Sequence, residues 1–170
     1  MQLHDTPRPP SSELDSVTPI PSPRILCVDS DTESTSLYFE HLRSAGCDVF
    51  TCFLGRLAER AALAFRPEIC VINLKLPDLP GHVVARHVQS CVEKSPLYLI
   101  AIVPDTDRPD EISEQLNAFH AFLVAPFKSQ DLLQLVDSWL LRRAKFQFEL
   151  AMKVRWQQPS RSRSRMMTAV

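Results

Sequence analysis

Two rhythms of apolar and polar positions take turns along the chain. Short, mostly apolar runs stand at 24–28 (RILCV), 47–52 (CDVFTC), 68–73 (EICVIN), 97–103 (LYLIAIV) and 121–125 (AFLVA). Runs of this length, rich in branched and aromatic residues, predict strands. Between them lie longer stretches whose apolar residues recur three and four apart, at 31–46, 55–65, 82–91 and 108–118, with a last one from Ser129 onward. These predict helices. In the first, Leu37, Phe39, Leu42 and Ala45 hold near-helical spacing, an Asp/Thr/Glu cluster opens the run and Gly46 stops it. Strands that are apolar on both faces, alternating with helices, predict an α/β domain with a doubly wound five-stranded parallel sheet covered on both sides. In such a sheet the ligand mouth lies at the carboxyl ends of the strands, where the winding reverses. That rule gathers Asp29, Asn73, Val103 and Ala125 around one opening.

The ends of the chain behave differently. Residues 1–23 hold six prolines among Ser, Thr and Asp, too little apolar material for a core, and read as a disordered arm. The domain proper is predicted over 24–141, a helical extension over 142–157 and a disordered basic tail over 158–170. The whole chain carries a net charge of −1, which conceals an asymmetry. Residues 142–170 contain eight Lys and Arg against Glu149 alone, a net +7 that leaves −8 for the rest. A hydrophobic content of 45% is ordinary for a globular domain. No run approaches the ~20 apolar residues of a membrane span, and the N-terminus lacks an apolar signal core, so a cytoplasmic protein without membrane contact is expected. Five cysteines without a CxxC pair read as reduced core residues. Cys47 and Cys52, five apart on one predicted strand, point to opposite faces and cannot share a metal. His41, His82 and His87 fall on predicted helices with no partner at metal or triad spacing, and the three glycines fall at predicted turns. Neither a metal nor a cofactor is expected.

The third strand raises the chemical question, because it ends on an amide, Asn73. The stretches RILCVDSD, RPEICVINLKLPDLPGH, LYLIAIVPDTD and AFLVAPFKSQDLL resemble the successive motifs of bacterial response-regulator receiver domains of the CheY-like type. The resemblance covers about residues 24–141 and implies a flavodoxin-like sheet of order 2-1-3-4-5. It also implies a phosphorylation pocket of five groups, and this chain departs from the pattern at most of them. The phosphoacceptor aspartate is replaced by Asn73. The first metal-holding acid is present as Asp29, but the second is Ser30. The hydroxyl position is Val103, and the lysine position is Ala125. A neutral amide is a poor nucleophile and gives a metal no charge. Mg²⁺ gains most from anionic oxygens, here Asp29 with at most a rotamer of Asp31. Without the lysine and the hydroxyl, a phosphoryl group has little to balance its charge. The reading is a retired pocket: a pseudo-receiver lacking the phosphoacceptor, and not an enzyme.

Three further residues support that pocket in this reading. Lys75 either turns its ammonium towards Asp29 or stands in solvent as a loop residue. Phe122, at the switch position the resemblance implies, is expected to pack inward against Val103. Pro126 follows Ala125 in a peptide bond that the resemblance implies to be cis. Asn73 can donate to Asp29 where a further carboxylate would repel it.

The last predicted helix places Leu132, Leu135, Val136, Trp139, Leu140, Phe146, Leu150 and Val154 mostly three or four apart. No proline interrupts from Lys128 to Gln158, so one helix is expected over 129 to about 155. An apolar stripe beyond the domain needs a partner, and Trp139, Phe146, Leu150 and Val154 are the candidate interaction residues. Two functions follow. One is a phosphorylation-independent protein–protein interaction module in two-component signalling, binding a signalling partner and forming a homodimer through the last helix. The other is a nucleic-acid-associated transcriptional regulator that uses the receiver fold to dimerise and the basic tail to bind.

Overall fold

The computed structural model describes residues 22–92, 96–108 and 110–157. Most of the proline-rich arm and the basic tail from 158 onward lie outside the described residues. The chain runs β1 (Arg24–Val28), α1 (Thr32–Ser44), β2 (Asp48–Cys52), α2 (Gly55–Phe65), β3 (Ile69–Asn73), α3 (Gly81–Cys91), β4 (Tyr98–Val103), α4 (Ser113–Leu116), β5 (Ala121–Val124) and α5 (Ser129–Gln157). All strand pairs are parallel, and the sheet order is β2-β1-β3-β4-β5. The doubly wound α/β sheet with a long C-terminal helix is therefore the fold of this chain.

The period of two in the strands divides the core in two. Ile25, Cys27, Ile69, Val71, Ile100 and Ile102 face α1 and α5, where Leu42, Leu132 and Val136 close over them. Leu26, Val28, Cys70, Ile72 and Leu99 face α2 and α3, against Ala58, Ala62, Val84, Ala85 and Val88. Cys47 belongs to the first layer and Cys52 to the second, as their spacing required. All five cysteines are free, and burial pushes the thiols of Cys27 and Cys70 well up, which leaves them as small apolar groups.

The helix ends follow from their sequences. Gly46, at φ 84°, takes the left-handed turn after α1. Its N–H donates to the Arg43 carbonyl and that of Cys47 to the Leu42 carbonyl, the two bonds of a Schellman stop. At the start of α5, the Asp131 carboxylate accepts from the Lys128 N–H at 3.0 Å, a residue of the first turn reaching back to the cap. Gly81 allows α3 to start hard against the sheet: a Cβ there would lie 2.3 Å from the Asn73 carbonyl oxygen.

Two expectations need correction at the level of elements. The helix anticipated over 108–118 is a single turn, Ser113–Leu116. Of its sequence only Ile112, Leu116 and the following Ala118 and Phe119 pack on the core, and no side chain caps its start. Too few apolar anchors hold the rest in helix. Trp139, expected to serve a partner, is a piece of this domain. It stacks on Tyr98 at 6.1 Å and packs on the first core layer, with the Arg143 guanidinium 5.3 Å over its ring.

Candidate functional site

β1 and β3 are neighbours, so their carboxyl ends bring Asp29 and Asn73 together. The Asn73 amide is fixed from both sides. Its Oδ1 accepts from the Lys75 backbone N–H at 2.9 Å, which leaves Nδ2 to donate to Asp29 Oδ1 at 3.0 Å. Asp29 is buried, and the same oxygen also accepts from the Asp31 N–H at 3.1 Å. Burial raises the Asp29 pKa, and the hydrogen bonds from Asp31 and Asn73 pull it back in part. The carboxylate is thus held by neutral donors.

Around this pair the other pocket positions are apolar or engaged elsewhere. Ser30 is exposed. Asp31 caps α1, its Oδ1 accepting from the Glu33 N–H at 3.1 Å, so the side chain whose rotamer could reach the pocket is committed to a helix end. Val103 is fully buried, grouped with Leu74 and Ala101 and covered by Ile112, Leu116 and Phe119. Ala125 is half-buried, its N–H donating to the Val103 carbonyl at 2.8 Å, and the Ala125–Pro126 peptide is cis.

The residues present do not fit a magnesium ion. Asn73 gives Asp29, the one buried carboxylate among the described residues, an N–H donor where a cation would need lone pairs. Among the described residues no group of three or more His, Cys, Asp or Glu could hold a metal. The buried carboxylate and the amide are thus bonded to each other, and the positions of Val103 and Ala125 are apolar.

Of the supporting residues, Lys75 takes the solvent-facing loop position that was one of its two expected places, and Phe122 stands elsewhere than expected. The Lys75 ammonium does not turn to Asp29; it bonds Thr106 Oγ1 and Asp107 Oδ1, each at 2.8 Å. Asp107 offers it a charged partner without the burial that a bond to Asp29 would demand, and the Lys75 hydrogen bond lowers the Asp107 pKa. Lys75 therefore ties the loop after β3 to the loop after β4. Phe122 is not packed inward but is 45% exposed on edge strand β5. It lines an open groove with Leu116 and Phe119, and the one-turn α4 is too short to cover it.

Spacing gave no sign of two further contacts. The Asp78 carboxylate accepts from the N–H groups of Gly55 and Arg56 at 2.8 and 3.0 Å and so caps α2. These bonds lower its pKa. The two partners lie 22 and 23 residues away, beyond any local pattern. His120 accepts at Nδ1 from the Leu99 N–H at 3.0 Å, lengthening the β4–β5 ladder by a side chain.

The interaction residues on α5 divide at Leu141. Leu141, Phe146, Phe148 and Leu150 are 72, 67, 67 and 53% exposed. Val154 lies in the helix, but its side chain is outside the described residues. Arg143 is pinned to Glu68 at 2.7 Å, so the extension leaves the domain from a fixed point.

Comparison with known proteins agrees with this fold. No family model matches the chain. It is similar to the transcriptional regulatory protein PrrA of Mycobacterium tuberculosis, 29% identical over 126 residues, covering 74% of this chain and 53% of that protein. It is also similar to the DNA-binding dual master transcriptional regulator RpaA of Synechocystis, 26% identical over 121 residues, covering 71% and 50%. The chain thus spans about half the length of the curated relatives it matches. Among solved structures, the signal receiver domain of a Luxo repressor protein from Vibrio parahaemolyticus superposes with a TM-score of 0.63 at 25% identity, over 76% of this chain and 97% of that one. Chemotaxis response regulator CheY4 of Vibrio cholerae gives 0.61 at 21%, covering 69% and 98%. The chain has the CheY-like receiver fold found in two-component response regulators. No helix among its described residues is long and apolar enough to cross a membrane.

Proposed function

We propose that this receiver fold works as a pseudo-receiver, a phosphorylation-independent interaction module in bacterial two-component signalling. The observation that carries the reading is the Asn73 amide bonded to Asp29 where the acceptor and its metal would meet. Signalling then rests on surface, not on a covalent change. The surface in question is the β5 edge, where Phe122 and Val124 are exposed, together with the distal stripe of Phe146, Phe148 and Leu150. The partner is a signalling protein or a second copy of the chain. The test is intact mass after incubation with acetyl phosphate and Mg²⁺. The mass is expected to stay unchanged; a gain of one phosphoryl group, lost in hydroxylamine, would overturn the reading.

A second reading draws on the relatives named as transcriptional regulators, one of them DNA-binding. In it the receiver fold dimerises and the basic residues 158–170, which lie outside the described residues, contact nucleic acid. Salt-dependent retention on DNA, lost on removal of residues 156–170, would favour this reading over the first.

A further inference from the structure

The opposite edge of the sheet carries a groove that the proposed function leaves unused. β2 is the edge strand, and α2 packs over it with Ala58 and Ala62 buried. Leu57, Ala61 and Ala64 of α2 stand beside that edge. With Phe50, Phe53 and Leu54 they line an almost wholly apolar groove of about 460 Å³. Phe50, Phe53 and Leu57 are 47, 47 and 48% exposed. Arg60 gives the rim its positive charge; Arg56 stands one turn earlier on α2 with the Asp78 carboxylate beside it, and Glu59 is turned to Cys91. An aromatic-walled channel with a positive rim suits an extended apolar segment flanked by acids.

We propose that residues 13–20 of the same chain occupy this groove. Pro23 marks where that segment joins the fold: its carbonyl accepts from the Asp48 N–H at 3.0 Å, at the head of β2. A segment turning back from Pro23 along the β2 edge runs antiparallel to β2 and meets Phe50 first, then Phe53. Pro19 and Pro21 favour the polyproline II conformation, which has three residues per turn and rises about 3.1 Å per residue. Leu14, Val17 and Ile20 are three apart and fall on one side of such a helix. They span roughly 19 Å, enough to carry Ile20 at Phe50 and Leu14 towards Leu57. Glu13 and Asp15, which flank Leu14, then come to the end of the groove that Arg60 borders. A segment too poor in apolar residues to pack by itself thus matches the groove in length, spacing and charge.

The full chain carrying Val17→p-benzoylphenylalanine tests this by irradiation and peptide mapping. The expected product is a monomer cross-linked between residue 17 and the 50–64 segment. Adding Arg60→Glu, an exposed change that leaves the circular dichroism spectrum intact, should lower that yield about fivefold. In the chain without the photoprobe, Leu14→Glu with Ile20→Glu should uncover the groove and raise fluorescence of a bound apolar dye several-fold. Leu57→Glu should reverse that rise. Cross-links scattered over the surface, or placed on α5, would overturn the proposal. So would a cross-linked dimer, which would assign the groove to a second copy. Dye binding that is equal with and without the arm substitutions would overturn it as well.

Discussion

At Asn73 the amide oxygen is taken by a backbone N–H, and the amino group is thereby committed to Asp29. An aspartate in the same place would keep the first bond and turn the second into repulsion between carboxylates. Asn73→Asp alone should leave the mass unchanged after acetyl phosphate treatment, because Ser30, Val103 and Ala125 still supply no ligand, hydroxyl or ammonium. It should also cost at least about 1 kcal/mol of stability at neutral pH from the lost hydrogen bond, read by urea unfolding. Asp29 itself gives a pH signature. Its folded pKa is raised by burial, so its contribution is fully present below the ordinary carboxylate pKa of 3.8 and is lost as pH rises through the folded value. Asp29→Asn removes that loss. The variant should match the parent near pH 3 and be the more stable of the two at pH 7; equal urea midpoints at pH 7 would contradict this account.

Elements are held where small residues let them approach. Gly81 brings the start of α3 onto the end of β3, with the Asn73 carbonyl closer than a methyl group permits. Gly81→Ala should therefore destabilise by about 3 kcal/mol, the upper range for a forced overpacking, with the urea midpoint as the measure. That the element order and most element limits were legible in the sequence has a plain cause. An apolar strand such as LYLIAIV has no other place than the middle of a covered parallel sheet. The pair Asp29 and Asn73 was legible too, since both lie at the carboxyl ends of neighbouring parallel strands. Lys75 was not, because its choice between Asp29 and Asp107 depends on a loop geometry that periodicity does not encode. Phe122 escaped for a related reason: its exposure is set by how short α4 is, and the polar run 108–118 concealed that.

The described residues form a domain from which α5 projects. α5 has 29 residues, and beyond Leu141 none of its described apolar side chains is covered. A free helix of about 15 residues is marginal in water, so the distal stripe of the extension calls for burial against a second chain. Light scattering on the full chain should give a dimer, and Phe146→Glu with Leu150→Glu should give a monomer of unchanged fold. A monomer in both cases would assign the stripe to a different protein. The anchoring of α5 has a mechanical side. Trp139 on Tyr98 and Arg143 on Glu68 clamp it at the domain surface, and the 16 residues beyond Leu141 project about 24 Å from that clamp. A tilt of about 10° at the fulcrum displaces the tip by roughly 4 Å over that length. Whatever grips the tip reads motions of the sheet and loops with leverage, as a pointer magnifies the movement of its pivot.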